Sequence, residues 1–452
     1  MPTAATALSL RENRNLGHIP GEYGMPIFGS TFEYLRDPHA WTDRMVRTYG
    51  PMFRSYMFFE VAVNAVGPEV TERVLSDRED LFSSHYGWWV TLGRFFPQGL
   101  MLRDFDDHKR HRRIMQTVFR KSALEQYVEI INPLLLSALD GWERQQGKGF
   151  PLYASIKETT LRTAAAVFTG LDGNDPRLAE LNRDFIRVIQ GAMAVVRVPL
   201  PFTATVRGVR ARQSLHRFFA ELIPQRRNGH GSDLLTHMCS ARSEEGDAFT
   251  DPEIVEHMAF LMMASHDTTT SALTNLVLEL ARHPELQELY REQSAALSSD
   301  LLDFDAMPQL RGIYDAFRES LRLYSPVQTI PRRTTRECEL LGYRIPANTV
   351  VWLSPELNHR LPKLWTDPER FDPERFSDAR AEHRSHRFAW APFGGGAHTC
   401  MGLAFSELQA KTFMHLLLRR YRWSLTGEAP RTTYIPFPRP AKDPPLSFDR
   451  IR

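Results

Sequence analysis

The chain has 452 residues, 42% hydrophobic and 24% charged, enough for a large core, and by length alone it could hold two or three domains. A formal net charge of +2 excludes the global basic field of a nucleic-acid binder. The widely spaced Cys239, Cys338 and Cys400 exclude a disulfide framework and fit a reducing compartment, so the expected location is cytoplasmic.

Residues 1–18 form a polar tail carrying Arg11, Glu12, Asn13, Arg14 and Asn15, with no apolar run like a signal peptide or integral membrane anchor. Ile19–Gly29 is a Pro/Gly-punctuated opening segment, and Phe59–Gly67 carries a β-like run. The aromatic stretch Tyr86–Phe96 contains glycines that permit a loop. From about residue 106 the patterns are mainly helical, over 122–143, 155–170, 175–195, 208–225, 251–282, 284–298 and 309–323. Strand signals return at Cys338–Ile345 and Val350–Leu353. A further helix is expected from Met401 to about Arg419, then strand and turn at Arg422–Leu425 and Tyr434–Pro438. Arg226–Ser232 reads as a polar surface loop. No repeat or linker divides the chain, so residues 1–452 read as one domain.

Chemistry concentrates in Phe393-Gly394-Gly395-Gly396-Ala397-His398-Thr399-Cys400-Met401-Gly402. Glycines let the backbone approach a flat ligand, and the helix that follows directs its positive end at the sulfur and favours thiolate. Thiolate pushes electron density into haem iron and favours O–O cleavage. Upstream, Ala264-Ser265-His266-Asp267-Thr268-Thr269-Thr270 sets an acid and three threonines inside the long helical pattern. Mid-helix threonines can bond back to carbonyls and bend or open the turn, leaving room for O2 and water, with Asp267 and Thr268 placed to relay protons. Glu319 and Arg322 share a helix face; alone, such a pair reads as an ordinary surface ion pair.

The spacing Phe393-x-x-Gly396-x-x-x-Cys400-x-Gly402 resembles the haem-binding loop of the cytochrome P-450 superfamily, the haem-thiolate monooxygenases. The acid–threonine segment resembles that family's Ala-Gly-x-Asp-Thr-Thr signature, with Ser265 where glycine is usual. Glu319, Arg322 and, in Phe371-Asp372-Pro373-Glu374-Arg375-Phe376, Arg375 resemble its buried Glu-Arg-Arg folding triad. His108, Arg112, Arg332 and His398 match its haem-propionate ligands; Ala264, Phe393 and Gly402 would also border the haem. Trp88, Trp89, Phe260, Met263, Val327, Gln328 and Ile435 would line an apolar substrate pocket, under a lid at Gly191–Phe202.

The resemblance spans nearly the whole chain. It implies a mainly α fold with a minor β region: one triangular helical prism, with haem b between the long central helix and the helix after the cysteine loop. Cys400 would be the axial iron ligand and O2 the co-substrate, one oxygen atom entering a C–H bond of a lipophilic terpenoid, steroid or polyketide. Three scattered cysteines hold no iron–sulfur cluster, so electrons are expected from an external ferredoxin and ferredoxin reductase, which the leftover basic residues Lys109, Arg110, Arg113, Arg120 and Lys121 would help to dock. The alternatives are a peroxide-driven haem-thiolate hydroxylase, against which the Asp267–Thr268 pair argues, and a haem-binding sensor without turnover.

Overall fold

The computed structural model describes residues 15–142, 150–172, 175–194, 200–229 and 231–451, and it is mainly helical with a minor β part. Its axis is the central helix, Asp251–Arg282. Thr250 starts it: the Glu253 carboxylate accepts both the Thr250 N–H, at 2.8 Å, and its hydroxyl, at 2.9 Å, while Pro252 suits the first turn. At 1.5 Å per residue this helix is about 48 Å long. It packs against helices Leu152–Thr169, Ala204–Arg227 and Arg311–Leu323, so most of its circumference is buried. The threonine run does not break it. Thr268, Thr270 and Thr274 each donate to the carbonyl four residues back, at 2.7, 2.9 and 2.7 Å, and the helix continues through all three. The back-bonds expected of the threonines are thus present, within a helix whose assignment is continuous through them.

The helix after the cysteine loop, Leu403–Arg420, lies on Lys121–Leu139 and Pro284–Ala295. It meets the central helix where the Thr269 hydroxyl donates to Gln409 Oε1 at 3.4 Å.

Strands β1 (Met52–Met57), β2 (Glu60–Ala65), β3 (Phe82–Ser83), β4 (Ile330–Thr334), β5 (Cys338–Leu340), β6 (Tyr343–Ile345) and β7 (Val350–Leu353) supply most of the β part. β1, β2, β7, β4 and β3 form one sheet in that order, with β2 and β7 parallel and the other pairs antiparallel. Its register sets Arg332 of β4 opposite Val351 of β7. Apolar side chains of this sheet pack with Leu16 and Ile19, so the end of the polar tail is anchored in a core; residues 1–14 lie outside the described residues.

Several boundaries differ from expectation. Residues 338–345 form a two-strand hairpin, β5–β6, turning at Leu341–Gly342, not one strand. The helix expected over 208–225 runs from Ala204 to Arg227. Tyr434–Pro438 is the turn between short strands Thr432–Thr433 and Arg439–Pro440. The aromatic segment read as a loop is largely helix, Ser84–Leu92. Its first N–H groups are satisfied from outside the segment: Asp104 Oδ1 accepts Ser84 N at 2.7 Å and His85 N at 3.1 Å.

Candidate functional site

The glycine-rich loop closes on itself through the Cys400 N–H, which donates to the Phe393 carbonyl at 2.9 Å. Gly396 has φ +65°, and a Cβ there would stand 1.7 Å from the Leu75 carbonyl oxygen, so only glycine fits. Gly402 is the N-cap of Leu403–Arg420. Burial pushes the Cys400 thiol up; the Gly402 N–H and the Arg112 guanidinium pull it down, without winning. The helix end therefore does not by itself produce a thiolate here. A coordinated cation would.

Cys400 is nonetheless accessible, and so, in the middle of the otherwise buried central helix, are Met263, Ala264, Ser265 and Thr268. A cleft thus reaches the helical core at these positions. The Thr268 hydroxyl is held on the Ala264 carbonyl, and Ser265 Oγ reaches the Met262 carbonyl at 3.3 Å. Asp267 points elsewhere. It is buried, and its carboxylate is 2.9 Å from Lys157 Nζ on helix Leu152–Thr169 and 3.4 Å from His266 Nδ1. Lys157, itself partly exposed, lies over the Tyr153 ring, as does Arg439.

Four nitrogenous side chains converge beside the loop. Helix Phe105–Gln116 supplies His108 and Arg112, β4 supplies Arg332, and the loop supplies His398. The rings of His108 and His398 stack with centroids 3.8 Å apart. Arg112 Nη1 donates to the Thr399 carbonyl at 2.7 Å, and Arg332 Nη1 only to its neighbour Pro331 at 2.9 Å. Burial, then Arg112 and Arg332, pushes His108 down to about 3; burial, then Arg332, His108 and Arg112, holds His398 well below the usual range. Burial also lowers Arg332 to about 10, against the pull of Asp104 and Asp77. Among the described residues no carboxylate forms an ion pair with Arg112 or Arg332, and the buried His108 Nε2 has no hydrogen-bond partner. Buried cations without counter-ions are costly, and this set has the chemistry to receive a dianionic group. Haem, with two propionates and an iron that takes a thiolate, fits these residues.

Glu319, Arg322 and Arg375 are brought together with essentially no exposure. Glu319 accepts Arg322 Nε at 2.7 Å, Arg322 Nη2 at 2.9 Å, Arg375 Nε at 3.2 Å and the Asp372 N–H at 2.9 Å. Glu382, 3.0 Å from Arg375 Nη1, is a fourth member that balances the charge. Nothing in the sequence pointed to Glu382 or to Lys157; each meets its partner only through the fold.

The residues expected to line a pocket do not form one set. Trp88 and Trp89 are half-buried against the helical core, with Trp89 stacked on His85. Met263 is accessible, but Phe260 is 6% exposed and packed on Phe96, and a Cβ on Gly99 would stand 2.8 Å from its ring, so Phe260 walls the core. Val327 packs on the sheet core; Ile435 packs instead on the cluster of Tyr34, Trp41 and Phe53. Gln328 is buried and its amide donates to the Tyr434 carbonyl at 3.3 Å. Of the expected lid, Val195, Val196 and Val198 lie outside the described residues, while Met193, Leu200 and Phe202 are exposed.

A family profile described as cytochrome P-450 matches residues 19–448. Cytochrome P-450 136 of Mycobacterium tuberculosis is 40% identical over 433 residues, covering 95% of this chain and 88% of that protein. A β-amyrin 28-monooxygenase of Kalopanax septemlobus is 26% identical over 448 residues, covering 94% and 91%. Among solved structures, a cyanobacterial CYP120A1 bound to retinoic acid superposes with a TM-score of 0.87 at 26% identity, covering 96% of this chain and 99% of that one.

Proposed function

Because the chain belongs to the cytochrome P-450 family and is an oxidoreductase of monooxygenase type, we propose that it acts as a single haem-thiolate domain that hydroxylates a lipophilic, terpenoid-like substrate. Electrons come from an external ferredoxin and its reductase. Haem b supplies oxygen activation and C–H oxidation when bound. Cys400 Sγ would hold its iron, and the Arg112 and Arg332 guanidiniums with the His108 and His398 imidazoles would take its propionates. The observation that carries the reading is this convergence of two guanidiniums and two imidazoles, with no carboxylate ion-paired to either guanidinium among the described residues, beside an accessible cysteine. Ala264, Ser265 and Thr268 border the reacting space, and Thr268 Oγ1, fixed on the Ala264 carbonyl, presents its oxygen lone pairs to water there. Asp267 serves from the next helix face: its carboxylate accepts from Lys157 Nζ, and rotation of its side chain away from that partner would bring it toward Thr268, to pass on a proton received from water.

The terpenoid assignment is supported by the accessible Trp88, Trp89 and Met263 and by two relatives, one solved with retinoic acid and one named for β-amyrin, both isoprenoid compounds. No helix of the described residues is long and apolar enough to cross a membrane. The test is a terpenoid panel scored by Soret shift, then by product formation with NADH, ferredoxin and reductase against hydrogen peroxide alone. Product with peroxide alone at equal rate would favour the peroxide-driven hydroxylase; Soret shifts without product under either condition would favour a binding protein.

A further inference from the structure

A second string of polar groups enters the central helix far from Asp267. His111 Nδ1 lies 2.8 Å from His257 Nε2, and both rings are about 1% exposed or less. The outer nitrogen of His111, Nε2, faces Arg110 Nη1 at 3.1 Å, Glu253 Oε1 at 3.4 Å and Asp107 Oδ1 at 3.5 Å. A guanidinium can only donate, so His111 Nε2 accepts and the ring proton sits on Nδ1, directed to His257 Nε2. The His257 proton then sits on Nδ1, a buried donor with no partner among the described residues. That atom adjoins the ring's attachment point and so lies against the central helix. Its residue is seven before Ala264, on the same helix face and about 10 Å away along the axis.

We propose that His111 and His257 form a proton-uptake route, separate from Lys157–Asp267, running from the solvent rim at Asp107 and Glu253 to the accessible face at Ala264 and Thr268. The proposal rests on the monooxygenase reading, since that chemistry consumes protons there. A solvent proton adds to His111 Nε2 as Arg110 swings out. The Nδ1 proton passes to His257 Nε2, and the His257 Nδ1 proton leaves to water on the cleft side. One proton enters, one leaves, and ring rotation restores both tautomers. The charged groups facing the pair are Arg103, Asp107 and Arg110 on one side and Glu253 on the other, with the Phe249 ring packed on both imidazoles. Burial, ahead of Arg103, keeps His111 down at about 4, and it keeps His257 well below the usual range, so the pair passes protons without storing charge.

The test uses the haem-loaded full chain. His257→Gln and His111→Gln each keep a hydrogen-bonding group but cannot accept at one atom and release at the other. Product per NADH should fall on the order of threefold, with a larger solvent deuterium isotope effect and a steeper decline toward alkaline pH. In the wild-type chain with 15N-labelled histidine, a 15N–15N coupling across the His111–His257 hydrogen bond should be seen, and its absence overturns the proposal. Unchanged coupling efficiency and isotope effect in both variants, while Thr268→Ala still uncouples, also overturns it and leaves the oxygenase reading standing. If Thr268→Ala is unchanged as well, the Asp267–Thr268 reading falls with it.

Discussion

Replacing Glu319 by alanine removes the acceptor of four hydrogen bonds at a point of zero solvent exposure. Arg322 keeps only carbonyl partners, those of His359, Pro368 and Arg370. Arg375 keeps Glu382, so one of two guanidiniums is left buried with no counter-charge. Breaking a buried ion pair by deleting one partner costs about 3–5 kcal/mol. Leaving the Asp372 N–H without its acceptor adds about 1–3 kcal/mol. The sum, about 4–8 kcal/mol, is comparable to the whole stability of a typical domain, about 5–15 kcal/mol. Glu319→Ala should therefore give little soluble protein and little bound haem. Glu382→Ala should be milder, because that carboxylate is 14% exposed and can be replaced by water. The assay is soluble yield, the Soret-to-protein absorbance ratio and the urea midpoint of whatever folds. A Glu319→Ala chain that loads haem fully and melts like wild type would refute the argument and return the motif to an ordinary ion pair.

Cys400→His should lose the red-shifted Soret band of the ferrous–CO complex; survival of that band would show that another group ligates the iron. Thr268→Ala should keep the substrate-induced spin shift and divert NADH electrons to hydrogen peroxide, measured as product and peroxide per NADH. Ser265 offers a second hydroxyl on the same accessible face, so Thr268→Ala/Ser265→Gly should uncouple further. Lys157→Met should also lower coupling, since the buried Asp267 loses its cation. Acid should destabilise the fold through His111: the unfolded ring takes up its proton near 6.5 and the folded ring only near about 4. Stability is then full above 6.5 and falls as pH drops toward 4, by on the order of 3 kcal/mol at 1.36 kcal/mol per unit. Urea midpoints against pH should show a shallower slope in His111→Gln.

The sequence by itself determined the helical majority, because core helices of this length leave a strong apolar period: the pattern over 251–282 coincides with the central helix Asp251–Arg282. It also determined the cysteine loop, where closely spaced glycines and Cys400 act within one short segment. Local chemistry of that kind is written in order along the chain. What only the tertiary structure decided is which long-range partner each charge meets. Asp267 is held by Lys157, 110 residues away. Arg375 is balanced by Glu382, and the first two N–H groups of the Ser84–Leu92 helix, whose N-cap is Ser83, find the distant Asp104 carboxylate. His111 and His257, 146 residues apart, come within hydrogen-bond distance only in the folded chain. An unpaired charge or a loose helix end has no preferred partner in sequence. Burial imposes one, because an unsatisfied polar group that is harmless in water is costly in a core.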